Sequence, residues 1–452
     1  MSEYFPCNIG VRQGDNLSPL LFSLFVNDFS QHISTSYQGI NIANSCYPSL
    51  FSEDVVLLKL FVLLYADDTI VLSENEHELQ KALNSVHDYC EMHKLIVNTS
   101  KTKIVVFSRG KVKRFPMFKY GSDTIEVVSD YVYLGIKMNY NNTFGKAIKK
   151  QLDQGRKAKF ALLVKARKLN LPIDIQCNLF EKIVFPTLLY GCEIWGFTGI
   201  DMLETFYKKF LKQSLKLRPS TPNCMVYGEV GKLPLQVTVD KLLIAYWLRL
   251  LNKDECTLAH IVYMITFNLF VRGEYKSKWL SRAKYILDYC GLSYIWNDQS
   301  TIDTYHCKQI IQKRIEDIAL HKWFSEVSTS SMCSTYRLFK KELNFEGYLM
   351  NPNYKNRISL TKFRCSNTKM PVYNQIYLYD TDICNLCSLG ARGDEFHYIF
   401  ICPFFTDSRT LYLKPYFNNR SNSVKFEQLF NSSNKTTLSR LAKFTNVILN
   451  QL

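Results

Sequence analysis

Leu63-Leu64-Tyr65-Ala66-Asp67-Asp68 is the stretch from which the fold is read. Residues 55–64 are apolar apart from Lys59, and they lead straight into the two adjacent carboxylates; Ile70-Val71-Leu72 follows at once. Apolar runs of strand length are read as buried strands. The pattern therefore predicts a β-hairpin with both acids at its tight turn. Two carboxylates beside such flanks are costly to place unless positive charge sits against them. A pair of divalent cations holding a triphosphate would supply it, by the two-metal logic of phosphoryl and nucleotidyl transfer. The bland alternative is a polar hairpin tip in water, and a motif this short does not decide between the two.

The flanking sequence adds context. Upstream, Ser18-Pro19 predicts an N-cap and a first turn, with Leu20, Leu21, Leu24, Phe25 and Asp28 following at helical spacing. The loop before that helix carries Arg12, Gln13 and Gly14, so polar groups and pliable backbone meet a helix N-terminus, a place suited to phosphate or a nucleotide. Downstream, Ser73 with Glu76 reads as a capping box. Leu79, Leu83, Val86 and Cys90 then mark one face of a helix running to about His93. Residues 104–107 read as a strand preceded by Asn98, Lys101 and Lys103. Residues 125–128 and 131–136 predict two more short strands.

Composition narrows the class. The chain has 452 residues, 47% of them hydrophobic, enough for about three domains with real cores. The first residues lack the basic-then-apolar pattern of a signal peptide. No stretch of about 18 uncharged apolar residues predicts a membrane span. Fourteen cysteines without a disulfide-like rhythm suggest a reducing compartment, with some thiols reserved for metal. The expected location is intracellular, nuclear and/or cytoplasmic, without a membrane partner. The net charge of +16 is unevenly spread. Residues 1–100 hold 4 Lys/Arg against 12 Asp/Glu, residues 101–168 hold 17 against 4, and the remainder 35 against 24. An acidic part that could bind metal, followed by a concentrated basic stretch, suits an enzyme acting on nucleic acid.

The ordered set GVRQGDNLSPLLFSLFVNDF, LLYADD, LIVNTSKTKIVVF and YLGI resembles the reverse transcriptase of a non-LTR (LINE-like) retrotransposon. That resemblance implies an α+β fold: a partial palm of the right-hand polymerase type, then a mainly α-helical thumb and middle region, and a small zinc-binding module. It makes Asp67 the metal-binding acid of the active site and Asp68 its partner, with Mg²⁺ as the metal. Arg12, Gln13, Gly14 and Tyr65 fall where the incoming nucleotide and template are held. Lys101 falls near the leaving pyrophosphate, and Tyr133, Leu134 and Gly135 on the segment that steadies the primer end. The implied reaction is attack of a primer 3′-hydroxyl on the α-phosphate of a dNTP, directed by an RNA template. In this family a further aspartate comes from a strand upstream of the Gly-Val-Arg-Gln segment. Only nine residues precede Gly10, so that carboxylate and the fingers are expected to be absent. Two carboxylates from one hairpin are a poor cage for two cations. The expectation is a C-terminal portion without polymerase activity by itself. The alternative is a non-catalytic nucleic-acid-binding remnant.

Beyond residue 140 three regions are readable. Ile148, Leu152, Gly155, Ala158, Leu162, Ala166 and Leu169 form one helical stripe, with Lys149, Lys150, Arg156 and Lys157 largely off it. A helix packed on one side and basic on the other can track a phosphate backbone. Residues 236–357 are helical and apolar without a readable motif. Cys384, Cys387, His397 and Cys402 then follow the ligand grammar of a closed, structural zinc site. Phe396, Tyr398, Phe400, Phe404 and Phe405 surround it, as a small core or as base-stacking rings. The expected division is 1–140 palm, 141–235 thumb-like, 236–357 helical, 358–410 zinc module and 411–452 tail.

Overall fold

A computed structural model describes residues 15–44, 56–108, 116–299, 303–351, 353–373 and 382–452; side chains at 43–44 and 56–59 are outside the description. Arg12, Gln13 and Gly14 therefore lie outside the described residues. The chain is mixed α+β and forms two compact units, Met1–Lys146 and Ala147–Leu452.

Among the described residues the first unit holds helices α1 (Ser18–Phe25), α2 (Phe29–Ser34) and α3 (Glu76–Met92) with nine short strands. These are β1 (Ile40–Asn44), β2 (Val56–Leu60), β3 (Val62–Tyr65), β4 (Asp68–Val71), β5 (Lys103–Ile104), β6 (Phe118–Tyr120), β7 (Asp123–Val127), β8 (Asp130–Tyr133) and β9 (Ile136–Asn139). They pair as small sheets: β1 with β2, β3 with β4, β8 with β9, and a three-stranded sheet in the order β5-β7-β6. Within that sheet β5 runs parallel to β7, and β6 antiparallel to it.

Helix α3 is the spine of this unit. Its Ala82, Val86, Tyr89 and Cys90 bury against Phe29 and Ile33 of α2, with Phe61, Val62 and Val71 of the β3–β4 region packed alongside. Leu83, one step round the helix, joins Ile104, Phe118 and Ile125 on the β5–β7 sheet. Two faces of one helix thus seal two small cores. The entry of α3 also anchors the strands: Glu74 accepts the Asn41 amide at 2.8 Å and Glu78 the Gln38 amide at 2.9 Å.

Several local expectations need correction. Asn75, not Ser73, caps α3, accepting the Glu78 amide at 2.9 Å, while the Ser73 hydroxyl donates to the Asn75 carbonyl. An Asn cap of this kind is worth about 1 kcal/mol. Ser18 is the first residue of α1 rather than its cap, because helical backbone already begins at Leu17. The apolar positions Leu20, Leu21, Leu24 and Phe25 of α1 lie exposed. The run leading into the acids is two strands broken at Phe61, β2 pairing with β1 and β3 with β4. The strand expected at 104–107 pairs only through Lys103 and Ile104. Residues 131–136 are not one strand but a hairpin: Leu134 and Gly135 both take positive φ (45° and 81°), reversing the chain between Tyr133 and Ile136. Such a two-residue turn needs left-handed backbone, which the glycine supplies at no steric cost.

The second unit is helical. Its elements are α4 (Gly145–Lys168), α5 (Ile173–Leu179), a π-turn Phe180–Val184, α6 (Phe185–Leu188), α7 (Cys192–Trp195), α8 (Ile200–Leu215), α9 (Asn223–Val230), α10 (Leu235–Leu251), α11 (Leu258–Val271), α12 (Lys278–Tyr289), α13 (Ser293–Asn297), α14 (Thr304–Thr329), α15 (Tyr336–Phe339), α16 (Tyr354–Arg364), α17 (Thr406–Tyr412), α18 (Pro415–Asn418), α19 (Ser423–Phe430) and α20 (Lys435–Gln451). The division between units falls in the first turn of α4. Helix α10 is central. Leu243, Ile244 and Trp247 are fully buried, and Trp247 stacks on Trp296 at 6.0 Å while donating to the Tyr263 hydroxyl. The sequence divisions at 235, 357 and 410 all lie inside this unit.

A buried ion cluster joins its distant parts. Arg364, with a fully buried side chain, donates from Nε to Glu229 Oε2 at 3.0 Å and lies 2.8 Å from Glu346 Oε2. It also donates to the Phe430 carbonyl and lies over the Phe339 ring at 4.6 Å. Lys340, equally buried, pairs with Glu346, and the Tyr348 hydroxyl donates to Glu229. Among the described residues no helix is long and apolar enough to cross a membrane.

Candidate active site and metal centre

The Asp-Asp hairpin closes over two residues. Tyr65 pairs with Asp68, leaving Ala66 and Asp67 as the turn, with Ala66 at φ 53°. Positive φ at an alanine is uncommon and is tolerated here because the flanking strands fix the turn. Asp67 thus sits in the turn itself and Asp68 is the first residue of β4, rather than both occupying the turn. Both carboxylates and the Tyr65 side chain are exposed.

The β8–β9 turn stands within electrostatic reach of this hairpin. Burial pushes the Tyr133 phenol above its ordinary range, and the charge of Asp68 and the neighbouring Tyr65 add to the rise. Leu134 and Gly135 form the turn that follows Tyr133. The hairpin is tethered at its open end by Asp130, which pairs with Lys137 at 2.6 Å and with Lys146. Those two hydrogen bonds hold its carboxyl well below the usual carboxylate range. Sequence reasoning did not single out Asp130; the pairing becomes visible only once the β8–β9 register is known.

Lys101 lies in a turn whose Asn98 side chain accepts its amide at 3.1 Å, and its own side chain is exposed. Lys103, two residues on, is engaged by the Ser100 carbonyl at 2.8 Å and by Glu126 at 3.1 Å.

The basic helix α4 packs as its stripe predicts, through Ile148, Leu152, Gly155, Leu162 and Ala166. Leu169 departs from the expectation: it lies past the helix end and is 65% exposed. Lys149 and Lys157 are exposed and Lys150 is half-buried. Arg156 is exposed but pairs with Asp153 one turn earlier. Positive charge is concentrated here: burial, with Lys209 and Arg156 close by, lowers the Lys159 ammonium below its ordinary value. Lys209 on α8 therefore widens the basic surface beyond the helix read from sequence.

Cys384, Cys387, His397 and Cys402 converge, their ligand atoms all within 4.8 Å of one another. The geometry comes from a knuckle and a π-turn. In the knuckle, the Cys384 amide donates to the Ala391 carbonyl at 2.8 Å, and the Leu386 amide points at Cys384 Sγ at 3.4 Å. His397 opens the π-turn His397–Ile401, whose Cys402 amide closes on the His397 carbonyl. Arg409 braces the far side, donating to the carbonyls of Ile399 and Cys402 at 2.8 Å each. Burial raises the Cys384 thiol, but the Leu386 amide and the neighbouring Tyr398, Cys387 and Cys402 side chains outweigh burial and lower it. Burial pushes Cys402 up to about 12. His397 Nε2 faces Cys387 Sγ at 3.5 Å, while Nδ1 is buried with no hydrogen-bond partner among the described residues. Three sulfurs and one imidazole with no carboxylate fit a closed tetrahedral zinc site. Of the surrounding aromatics, Tyr398, Phe400 and Phe405 are buried and Phe404 is exposed. Among the described residues this is the one group of three or more His, Cys, Asp or Glu arranged for a metal; Asp67 and Asp68 stand without a third such residue.

Comparison with known proteins finds sequence similarity over the part of the chain that carries this hairpin, the Asp67-Asp68 turn. Residues 2–138 match the reverse transcriptase (RNA-dependent DNA polymerase) family. The chain is 26% identical over 211 residues to the RNA-directed DNA polymerase from mobile element jockey of Drosophila melanogaster, covering 45% of this chain and 21% of that protein. It is 28% identical over 142 residues to a transposon-derived protein of Caenorhabditis elegans, covering 30% of this chain and 48% of the relative. It is 25% identical over 197 residues to the RNA-directed DNA polymerase from transposon X-element of Drosophila melanogaster, covering 41% and 19%. The chain thus spans between about a fifth and a half of the length of these relatives.

Proposed function

We propose, from the premise that residues 2–138 are a reverse-transcriptase family domain like those of non-LTR mobile elements, that this chain is the template- and primer-gripping portion of an RNA-directed DNA polymerase. The observation that carries this reading is the Asp67-Asp68 hairpin with Tyr133 in electrostatic reach of Asp68. Asp67 and Asp68 are the Mg²⁺ ligands, and the ions, when bound, would stabilise the attacking and leaving oxygens of nucleotidyl transfer. Arg12, Gln13, Gly14 and Tyr65 hold the incoming nucleotide and template. Lys101 faces the pyrophosphate, and Tyr133, Leu134 and Gly135 position the primer end. Lys149, Lys150, Arg156 and Lys157 of the thumb helix follow the nucleic-acid backbone, and Cys384, Cys387, His397 and Cys402 hold a structural Zn²⁺.

Each Mg²⁺ takes six oxygen ligands. Asp67 and Asp68 would supply carboxylate oxygens from one hairpin only, and on the reading proposed here the chain binds without extending by itself. The same observation supports the second reading, a binding remnant without chemistry. Primer extension on an RNA template with Mg²⁺, beside an Asp67→Ala control, tests both. Binding without extension is the expected result. Extension abolished by Asp67→Ala would mean that another group of this chain completes the metal site.

A further inference from the structure

Residues 236–357 carry no readable motif, yet they supply most of the lining of an open cleft in the second unit. An open cavity of about 440 Å³ lies between α10 and the first turn of α14, with Glu193 of α7 at its edge. Its walls carry two aromatic rings, Tyr246 and Tyr305, two cations, Arg249 and Lys308, and the polar side chains of Glu193 and Asn252. The size lies in the range of ordinary ligand sites. Helix α10 exposes this face because its opposite side, through Leu243, Ile244 and Trp247, is taken up by the core.

One wall is held in place from behind. Trp279 meets Tyr246 edge-on at 5.9 Å and is itself fixed by donating its indole N–H to the Glu193 carbonyl at 2.8 Å. The Arg249 guanidinium lies over the Tyr246 ring at 5.1 Å. The opposite wall is set by Asp303, whose carboxylate accepts the Tyr305 and His306 amides and fixes the first turn of α14. Tyr305 is 72% exposed, so its ring is open to a partner. Neither Arg249 nor Lys308 takes part in an ion pair among the described residues. An exposed aromatic face beside two cations outside any ion pair, with the Asn252 amide and the Glu193 carboxylate in the same lining, makes the chemistry of a nucleotide site.

We propose that this cleft takes one unpaired nucleotide of a single-stranded nucleic acid, its base on the Tyr305 ring and its phosphate on Arg249 and Lys308. The proposal rests on the reading that this chain binds nucleic acid, but it uses neither α4 nor the polymerase domain. Every base has a π-face, so the site accepts any sequence and discriminates against duplex, whose bases are already stacked.

The test uses the full chain and a fluorescein-labelled 12-nucleotide uridine RNA, with a 12-base-pair RNA duplex as comparison, followed by anisotropy. Tyr305→Ala is expected to weaken single-strand binding about 5- to 150-fold, the stacking of one base, and to leave duplex binding within about twofold. Tyr305→Phe should retain the affinity. Lys149→Ala with Lys157→Ala should weaken both ligands alike. Unchanged single-strand binding by Tyr305→Ala, while the α4 variant weakens, overturns the cleft and leaves the thumb reading standing. A wild-type chain that binds neither ligand overturns both. Competition by a polyglutamate peptide as strong as by the RNA would show that the cleft reads charge alone, and would also overturn it.

Discussion

Replacing Arg364 by methionine removes the centre of the buried ion cluster and gives a prediction whose size follows from the structure. Among the described residues Glu229 keeps only the Tyr348 hydroxyl, and the Phe430 carbonyl loses the Arg364 donor, whereas Glu346 retains Lys340. Glu229 is fully buried, so its charge cannot recover by hydration. Breaking a buried pair from one side costs about 3–5 kcal/mol. In a unit of this size each kcal/mol lowers the melting temperature by about 2 °C, so the expected loss is roughly 6–10 °C by circular dichroism. The double variant Arg364→Met with Glu229→Gln removes the orphaned charge as well, and it should recover at least half of that loss. A single variant melting within about 2 °C of wild type would refute the reasoning. So would a double variant that is no better than the single one.

Other outcomes are expected elsewhere. The purified chain should carry about one zinc, read by mass spectrometry, and Cys387→Ser or Cys402→Ser should abolish it and loosen the Arg409 contacts at the π-turn. Gly231 has φ +61°, and a Cβ there would lie 2.4 Å from the Phe345 amide nitrogen and 2.6 Å from the Asn344 carbonyl carbon. Gly231→Ala should therefore cost about 2 kcal/mol or more in denaturant unfolding, well beyond the typical surface change. Because Lys137 and Lys146 depress the Asp130 carboxyl, its stabilisation is complete above the ordinary carboxylate value near 3.8 and is lost as pH falls below it toward the depressed folded value. Protection against hydrogen exchange across the β8–β9 hairpin, referred to the intrinsic rate at each pH, should fall in that acid window, and Asp130→Asn should remove this pH dependence.

Much of this was legible because it is local. The Asp-Asp hairpin, the buried stripe of α4, the face of α3 and the Cys/His spacing are each set by residues within one or two turns or strands of each other. What the sequence hid follows a rule of its own. Asn75 outcompeted Ser73 as a cap because either residue can close a helix start, and only the chain direction chooses. Leu134-Gly135 looked like strand interior because the apolar letters on both sides continue across the turn. Arg364 read as one more basic residue in a helix, and nothing near it announces that its partner is Glu229, 135 positions earlier. Nor does any spacing show that Tyr246 and Tyr305 line one cleft.

That separation of 135 residues also bears on synthesis. At about 5–20 residues per second, the ribosome needs roughly 7–27 s to pass from Glu229 to Arg364. During that interval α9 holds a carboxylate destined for a dry interior with no counter-ion yet made, so it must stay hydrated. The second unit consequently cannot close progressively behind its N-terminal helices. The α16 that delivers the arginine packs in turn on α20, which is made later still.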